Sequence, residues 1–415
     1  MPGEDADVVE TALAPPNVML YSHDTYGLGH LRRTLKLATF LRSRRRLSQL
    51  IVTGSPMAHR FELPADADYI KLPSVVKVAR ESYESRSLGL PFAAIRDLRR
   101  DLVLSAARHF RPRVCVVDNV PGGLKGEVVP ALHYLKSVSC RLVLGLRDIV
   151  DESDRVRRTW AADESYELLD EAYDLILVYG AREIYDPVTE YGFSRQAAAK
   201  TRFVGYLGRE RDGRGRGRIR RELGVGADQR LVLVMAGGGQ DGYDLLRTFI
   251  DALRLDGDRA PFECLLVGGP LMPPGPQQEL RDLALDRSAR HVDFIDDVTS
   301  YVEAADAVVA MAGYNSLCEL LSAGRPALIV PRVTPRREQL IRAEKLSGRG
   351  LLRMLHPSAV TARRLRAEVD RLLEEQSAPA VLPLTGLPRA ADALDDLLEE
   401  APVRAEPAGV GATVG

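Results

Sequence analysis

Ala307-Val-Val-Ala310 runs directly into Met-Ala-Gly313-Tyr-Asn315-Ser316-Leu-Cys-Glu319-Leu-Leu-Ser-Ala-Gly324-Arg-Pro326, and that into Ala327-Leu-Ile-Val330. A short run of small and β-branched residues ends at Ala310, and Gly313 supplies a turn. An apolar-periodic stretch then stops at an Ala323-Gly324 cap before a second apolar run. This is a strand, a helix and a strand, the unit from which parallel sheets are wound. The helix opens just past the carboxyl end of a strand, where open α/β sheets hold their ligands. The N–H groups of Asn315 and Ser316, their polar side chains and the helix dipole converge there, which suits an anion. Glu319 lies four residues past Asn315, one turn deeper on the same face, where its carboxylate suits a vicinal diol such as ribose offers. The plain structural alternative is an N-capped helix with an exposed Glu319.

The same alternation extends outward. Apolar runs at 231–235, 264–267 and 292–295 precede this unit, and 327–330 closes it. A separate series at 18–21, 49–53, 114–118, 142–146 and 175–179 fills the first half, with a helical pattern over 31–41 behind its first strand. Short continuous apolar runs alternating with helices predict parallel sheets covered on both faces. The expected fold class is therefore α/β, with two Rossmann-like domains facing each other. Residues 17–207 form the N-terminal domain, 208–221 a Gly/Arg linker and 222–400 the C-terminal domain. Residues 1–16 and 401–415 are read as disordered tails. The Gly/Arg segment reads as a solvated linker, with a polyanion-binding arm as the alternative; it carries no interleaved aromatics.

Composition narrows the function. The 415 residues hold 57 Lys+Arg against 58 Asp+Glu, a formal charge of −1, which excludes a globally basic nucleic-acid-binding surface. Cys115, Cys140, Cys264 and Cys318 lie far apart, with no CxxC pair, and read as buried reduced thiols. No signal pattern and no apolar run of about 18 residues is seen, so a cytoplasmic location is expected.

Two further glycine turns follow strands. The first, Tyr21-Ser-His-Asp-Thr-Tyr-Gly27-Leu-Gly29-His30, places Arg32 where a dinucleotide fingerprint needs a third glycine, which argues against NAD. It reads as a structural turn or an anion loop. The second, Met235-Ala-Gly-Gly238-Gly239-Gln240-Asp-Gly242, lacks the Lys-Ser/Thr of a P-loop and suits an anion or sugar phosphate.

Gly313-x-Asn315-Ser316-x-x-Glu319, followed by Glu338-Gln339, resembles the donor-binding segment of GT-B glycosyltransferases. Together with Gly27-Leu-Gly29-His30, Gly237-Gly-Gly-Gln240 and Phe294-Ile-Asp-Asp-Val298, the texture is similar to the branch containing MurG. The resemblance implies that Gly238, Gly239 and Gln240 line a sugar diphosphate. Ile295 would present backbone to the nucleobase with Val298 beside it, Gly313, Asn315 and Ser316 would hold the diphosphate, and Glu319 the ribose. Glu338 and Gln339 would take the hydroxyls of the transferred sugar. Three positions depart from family patterns. Met311 stands where many small-molecule transferases carry a His, Gly239 replaces a Ser, and Asp241 replaces a Gly.

The implied activity is inverting, metal-independent transfer from a nucleotide sugar, a UDP-sugar, to an unidentified acceptor. It uses no cofactor beyond that co-substrate. The acceptor is a small molecule, a lipid-linked molecule or a polymer, and a lipid carrier would bring peripheral contact with the inner membrane face. His30 is the first candidate base, or else a polar residue shaping the helix start. Asp118, with Asn119 beside it, is the second, or else caps the next turn. Arg147-Asp148 reads as an acceptor contact or a buried ion pair. Asp256-Gly-Asp258 reads as surface charge rather than a cation site. Lys77, Arg80 and Arg86 in 74–91 are acceptor or membrane contacts, or solvated charges. A UDP-sugar 2-epimerase and a non-catalytic nucleotide-sugar binder are the competing classes.

Overall fold

The computed structural model describes residues 15–23, 28–78, 82–208, 214–256, 260–285, 289–375, 382 and 384–400. Gly27, Arg80 and Asp258 lie outside them. Among the described residues the strands are, in chain order, β1 (Asn17–Ser22), β2 (Ser48–Thr53), β3 (Ala67–Lys71), β4 (Val75–Lys77), β5 (Tyr83–Ser85), β6 (Val114–Asp118), β7 (Arg141–Arg147), β8 (Leu175–Tyr179), β9 (Thr201–Phe203), β10 (Leu231–Met235), β11 (Glu263–Val267), β12 (Arg290–Val292), β13 (Ala307–Ala310), β14 (Ala327–Ile329) and β15 (Arg353–Met354). Four helices carry the discussion: α1 (Gly29–Arg44), α2 (Tyr314–Ala323), α3 (Glu338–Ser347) and α4 (Gly386–Glu400).

The first sheet runs β3-β2-β1-β6-β7-β8-β9 and the second β12-β11-β10-β13-β14-β15. Every pairing in both is parallel. In each sheet the winding direction reverses once, between β1 and β6 and between β10 and β13. A crevice opens at such a switch point because the crossovers on its two sides leave in opposite directions. The strands next to the two reversals are the ones that lead into the glycine turns, Asp118 and Gly313. The short edge strands β3, β9 and β15 and the β4–β5 hairpin were not expected. Their mixed, half-exposed residues (Ala67-Asp-Tyr-Ile-Lys71, for example) carry no continuous apolar run. The strand expected over 292–295 ends at Val292, so Phe294 and Ile295 lie in a loop.

The cores are aliphatic, as the low aromatic content implies. One packs the first sheet against the helices behind it, another fills the second sheet, and a third runs through both units. All four cysteines are buried free thiols. Burial pushes the Cys115 and Cys318 thiols up to about 12.

Two sequence readings change. α4 packs on α1 and β6 of the first unit, so the expected 222–400 unit gives up its last helix. Ala390, Ala391, Leu394 and Leu398 are buried there, Arg44 pairs with Asp392 at 2.5 Å and Asp395 at 3.2 Å, and Arg113 donates to the Leu398 carbonyl at 2.6 Å. The described half of the Gly/Arg segment is no solvated linker but a helix, Arg214–Glu222. Arg216 and Arg220 reach over to Asp306 at 2.8 and 3.1 Å and donate to the carbonyl oxygens of 303–305 at the end of the helix Val298–Ala304. Cations there satisfy carbonyls that have no helical partner.

Between the units lies a buried ion pair. Asp148, just past β7, receives Arg342 of α3 through Nε at 2.8 Å and Nη2 at 2.7 Å; both side chains are at most 1% exposed. The same guanidinium donates to the Ala312 and Ile149 carbonyls. Gly180 makes the room: a Cβ on it would stand 2.7 Å from the Asp148 Cβ. Of the two readings of Arg147-Asp148, Asp148 takes the ion-pair role. Arg342→Met leaves a buried carboxylate without a counter-charge and is expected to cost about 3–5 kcal/mol, read as a lowered denaturation midpoint of the purified variant.

Candidate functional site

The carboxyl ends at both reversals face each other across a cleft enclosing about 200 Å³. On the first side, α1 starts one residue before His30, and its first turn brings His30 and Arg33 to the end of β6. His30 Nδ1 sits 2.5 Å from Asp118 Oδ2, and Arg33 holds the same carboxylate bidentately, both contacts at 2.7 Å. Burial alone raises the Asp118 pKa, but the Arg33 guanidinium and His30 outweigh it and hold the carboxyl well below the usual range. Asp118 is therefore a fixed anion that orients His30, and its reading as an independent base is set aside. With Nδ1 turned to Asp118, the Nε2 of His30 is the nitrogen left for a substrate. Burial lowers the His30 pKa and Asp118 partly restores it, so the balance favours the neutral ring.

On the second side, Gly313 is the N-cap of α2 in extended conformation, with no side-chain cap, so the first N–H groups of the helix point into the cleft. Across from them Gly237 has φ +61°, and a Cβ there would stand 3.7 Å from Ser316 Oγ, inside the space an anion would take. Gly239 serves packing: at φ +96° its Cβ would lie 2.6 and 2.7 Å from the carbonyl oxygens of Gly268 and Gly269, where two turns meet backbone to backbone. All three glycines line the cleft, and Gly239 carries the added backbone-to-backbone constraint.

Other expected residues arrive with partners. Asn315 Nδ2 donates to the Gly29 carbonyl at 3.0 Å, so its side chain bridges the units and only its backbone is left for an anion. Glu319 is buried, with Oε1 3.2 Å from Lys36 of α1 and Oε2 unpartnered. This replaces the exposed-Glu319 alternative. Arg332 spans Asp241 at 2.8 Å and Glu338 at 2.6 Å, while Gln339 Oε1 accepts from the Arg332 N–H. Glu338 keeps a buried, unpartnered Oε2. Its pKa falls because Arg332, then Arg147 and Arg342, outweigh burial. Ile295 lines the loop beside Phe294, whose ring meets Phe61 of the first unit edge-on at 6.4 Å and lies under Arg32. Val298 opens the next helix, which Asp297 caps.

Arg33, Lys36, Tyr314 and Arg332 are cleft or cleft-wall residues that the sequence reading passed over. The His30-x-x-Arg33 spacing puts two side chains on one helical face, a signal that could have flagged Arg33. Tyr314, stacked on Tyr206 and flanked by Arg33 and Arg342, carried no such signal.

Two facing Rossmann-like units with the site between them are the GT-B architecture. Within it, residues 232–385 match the Glycosyltransferase family 28 C-terminal domain. A UDP-N-acetylglucosamine--N-acetylmuramyl-(pentapeptide) pyrophosphoryl-undecaprenol N-acetylglucosamine transferase of Rubrobacter xylanophilus is 28% identical over 151 residues, 36% of this chain and 42% of that protein. The chain thus spans about two fifths of that curated relative. MurG of Acinetobacter baumannii superposes with a TM-score of 0.55 at 15% identity, covering 93% of this chain and all of that one. A Listeria monocytogenes structure described as a UDP-N-acetylglucosamine 2-epimerase gives 0.62 at 13% identity over 96% of this chain and all of that one. At these identities the structures establish the fold.

The His30 ring is expected to titrate with a midpoint below about 6.5 in an NMR pH series. Because the Asp118 charge favours the protonated ring, Asp118→Asn should move the midpoint lower still. A midpoint above neutrality, or an upward move in the variant, contradicts the assigned geometry.

Proposed function

We propose that the protein transfers a sugar from a UDP-linked donor to an acceptor hydroxyl held by the first unit, with inversion and without a metal. The observation that carries this reading is the opposition, across one cleft, of a His–Asp pair and an uncapped helix start with a buried carboxylate beside it. The family 28 match and the UDP-sugar relatives support the donor class. In the reaction, His30 Nε2 takes the proton of the acceptor hydroxyl as its oxygen attacks the anomeric carbon. The bond from that carbon to the diphosphate breaks on the opposite face, and a single displacement inverts the centre. Charge gathers on the departing diphosphate, which the α2 N–H groups and dipole stabilise in place of a cation. Glu319, through its unpartnered Oε2, holds the ribose diol, and the free oxygen of Glu338 a hydroxyl of the transferred sugar.

Purified protein incubated with a panel of UDP-sugars and acceptors tests this. Acceptor-dependent UDP release that persists in EDTA is expected. A sugar altered without an acceptor indicates an epimerase, and binding alone a non-catalytic protein. Glu319→Ala should weaken UDP binding at least about tenfold. His30→Ala should lower turnover roughly 10²–10⁴-fold at unchanged donor affinity.

A lipid-linked acceptor, as the names of the relatives specify, belongs to the same proposal. Val78, Leu88, Leu90 and Leu98 are 41–51% exposed on the hairpin, the loop after it and the helix Phe92–Phe110, with Lys77, Arg86, Arg96 and Arg100 on the same elements. Among the described residues no helix is long and apolar enough to cross a membrane. Apolar residues ringed by cations suit an anionic bilayer surface. Co-sedimentation with phosphatidylglycerol vesicles is expected, and Leu88→Ser with Leu90→Ser should reduce it; equal sedimentation of wild type and variant removes this face.

A further inference from the structure

The buried carboxylates in and beside the cleft each have a cation: Asp118 has Arg33, Asp148 has Arg342, Glu338 has Arg332 and Glu319 has Lys36. Arg147 has no such carboxylate. It ends β7, one strand over from Asp118, and lines the cleft. Among the described residues it forms no ion pair. Its Nε and its backbone N–H both donate to Asn119 Oδ1, at 3.2 and 3.1 Å. Asn119 stands in the left-handed region at φ 73°, held there by its N–H bond to the Gly145 carbonyl. A residue in an uncommon conformation, which Asn tolerates better than most, thus aims a guanidinium whose two Nη groups carry no partner among the described residues.

The surroundings sharpen the imbalance. Burial, then Arg33, Arg342 and Arg336, push the Arg147 pKa down to about 10, with Glu338 pulling the other way. A half-buried guanidinium short of counter-charge and crowded by other arginines is costly to keep charged, and an anion on its free fork relieves that cost. We propose that Arg147 seats an anionic group, a carboxylate or phosphate, that a substrate carries into the acceptor-side end of the cleft. This rests on the nucleotide-sugar reading above. Two carriers offer that chemistry: an acceptor bearing the anion, or a transferred sugar that is itself a uronate. The second is compatible with Glu338, which acts electrostatically on Arg147 from the donor side.

The experiment saturates the protein with UDP, so that the donor diphosphate site is filled, and then titrates inorganic phosphate by calorimetry. In parallel, UDP-glucuronate and UDP-glucose are compared on the free protein. Wild type, Arg147→Gln and Arg147→Lys are used. Arg147→Gln should weaken phosphate or glucuronate binding at least about tenfold while leaving UDP affinity within about twofold. Arg147→Lys keeps the charge but loses the fork and should fall between, and it stands in if the Gln variant does not fold. A glucuronate preference abolished in Arg147→Gln assigns the anion to the transferred sugar. Arg147-dependent phosphate binding without that preference assigns it to the acceptor. If neither ligand depends on Arg147, the site is overturned. Failure of wild type to bind UDP at all overturns the nucleotide-sugar reading instead.

Discussion

The rest of the cleft depends on one constraint: the Asp148 carboxylate and the Arg342 guanidinium are both out of water, and they come from different units. Two such charges are not a cheap source of stability, since a well-packed apolar pair of similar size often does as well. What they supply is definition. Neither tolerates losing the other, so the units are pinned together at this point. Arg342 also binds the Ala312 carbonyl, immediately before the cap of α2. The contact that joins the units therefore also positions the helix start that the first unit faces. Tyr314, lodged between Arg342 and Arg33, extends this from the hinge to the His30–Asp118 pair.

Much of this was legible in the chain. Strand runs buried on both faces announce themselves, and glycine turns after them mark ends that ligands can approach. Both the α/β class and the identity of the two main turns followed from that. Partnership was not legible. His30 and Asp118 are 88 residues apart and Lys36 and Glu319 are 283 apart. Spacing reports which side chains share a helical face, but not which face of another element stands opposite. The same limit explains the triple glycine: Gly239 is dictated by Gly269, which only the folded turn brings against it. It also explains the Arg-rich segment, whose arginines look solvated until the carbonyls of 303–305 are placed beneath them.

Net charge proved a poor guide to the interior. A total of −1 conceals arginines gathered around the cleft, of which Arg33, Arg332 and Arg342 are each tied to a carboxylate. The pairing does electrostatic work beyond cancellation. Arg33 keeps Asp118 ionised, and ionised Asp118 fixes the tautomer of His30. A neutral imidazole with one nitrogen committed is a base with a direction.

The placement of α4 has a consequence for how the molecule moves and how it can be divided. Since residues 386–400 rest on α1, the chain leaves the first unit near 208 and returns to it by 386. In topological terms the second unit is an insertion within the first, attached by two crossings instead of one. A single tether would leave the inserted unit free to swivel, whereas two side by side restrict it to a rocking motion about the line that joins them. The first unit is not a contiguous piece of sequence, so cutting after 385 would strip it of a wall of its own core.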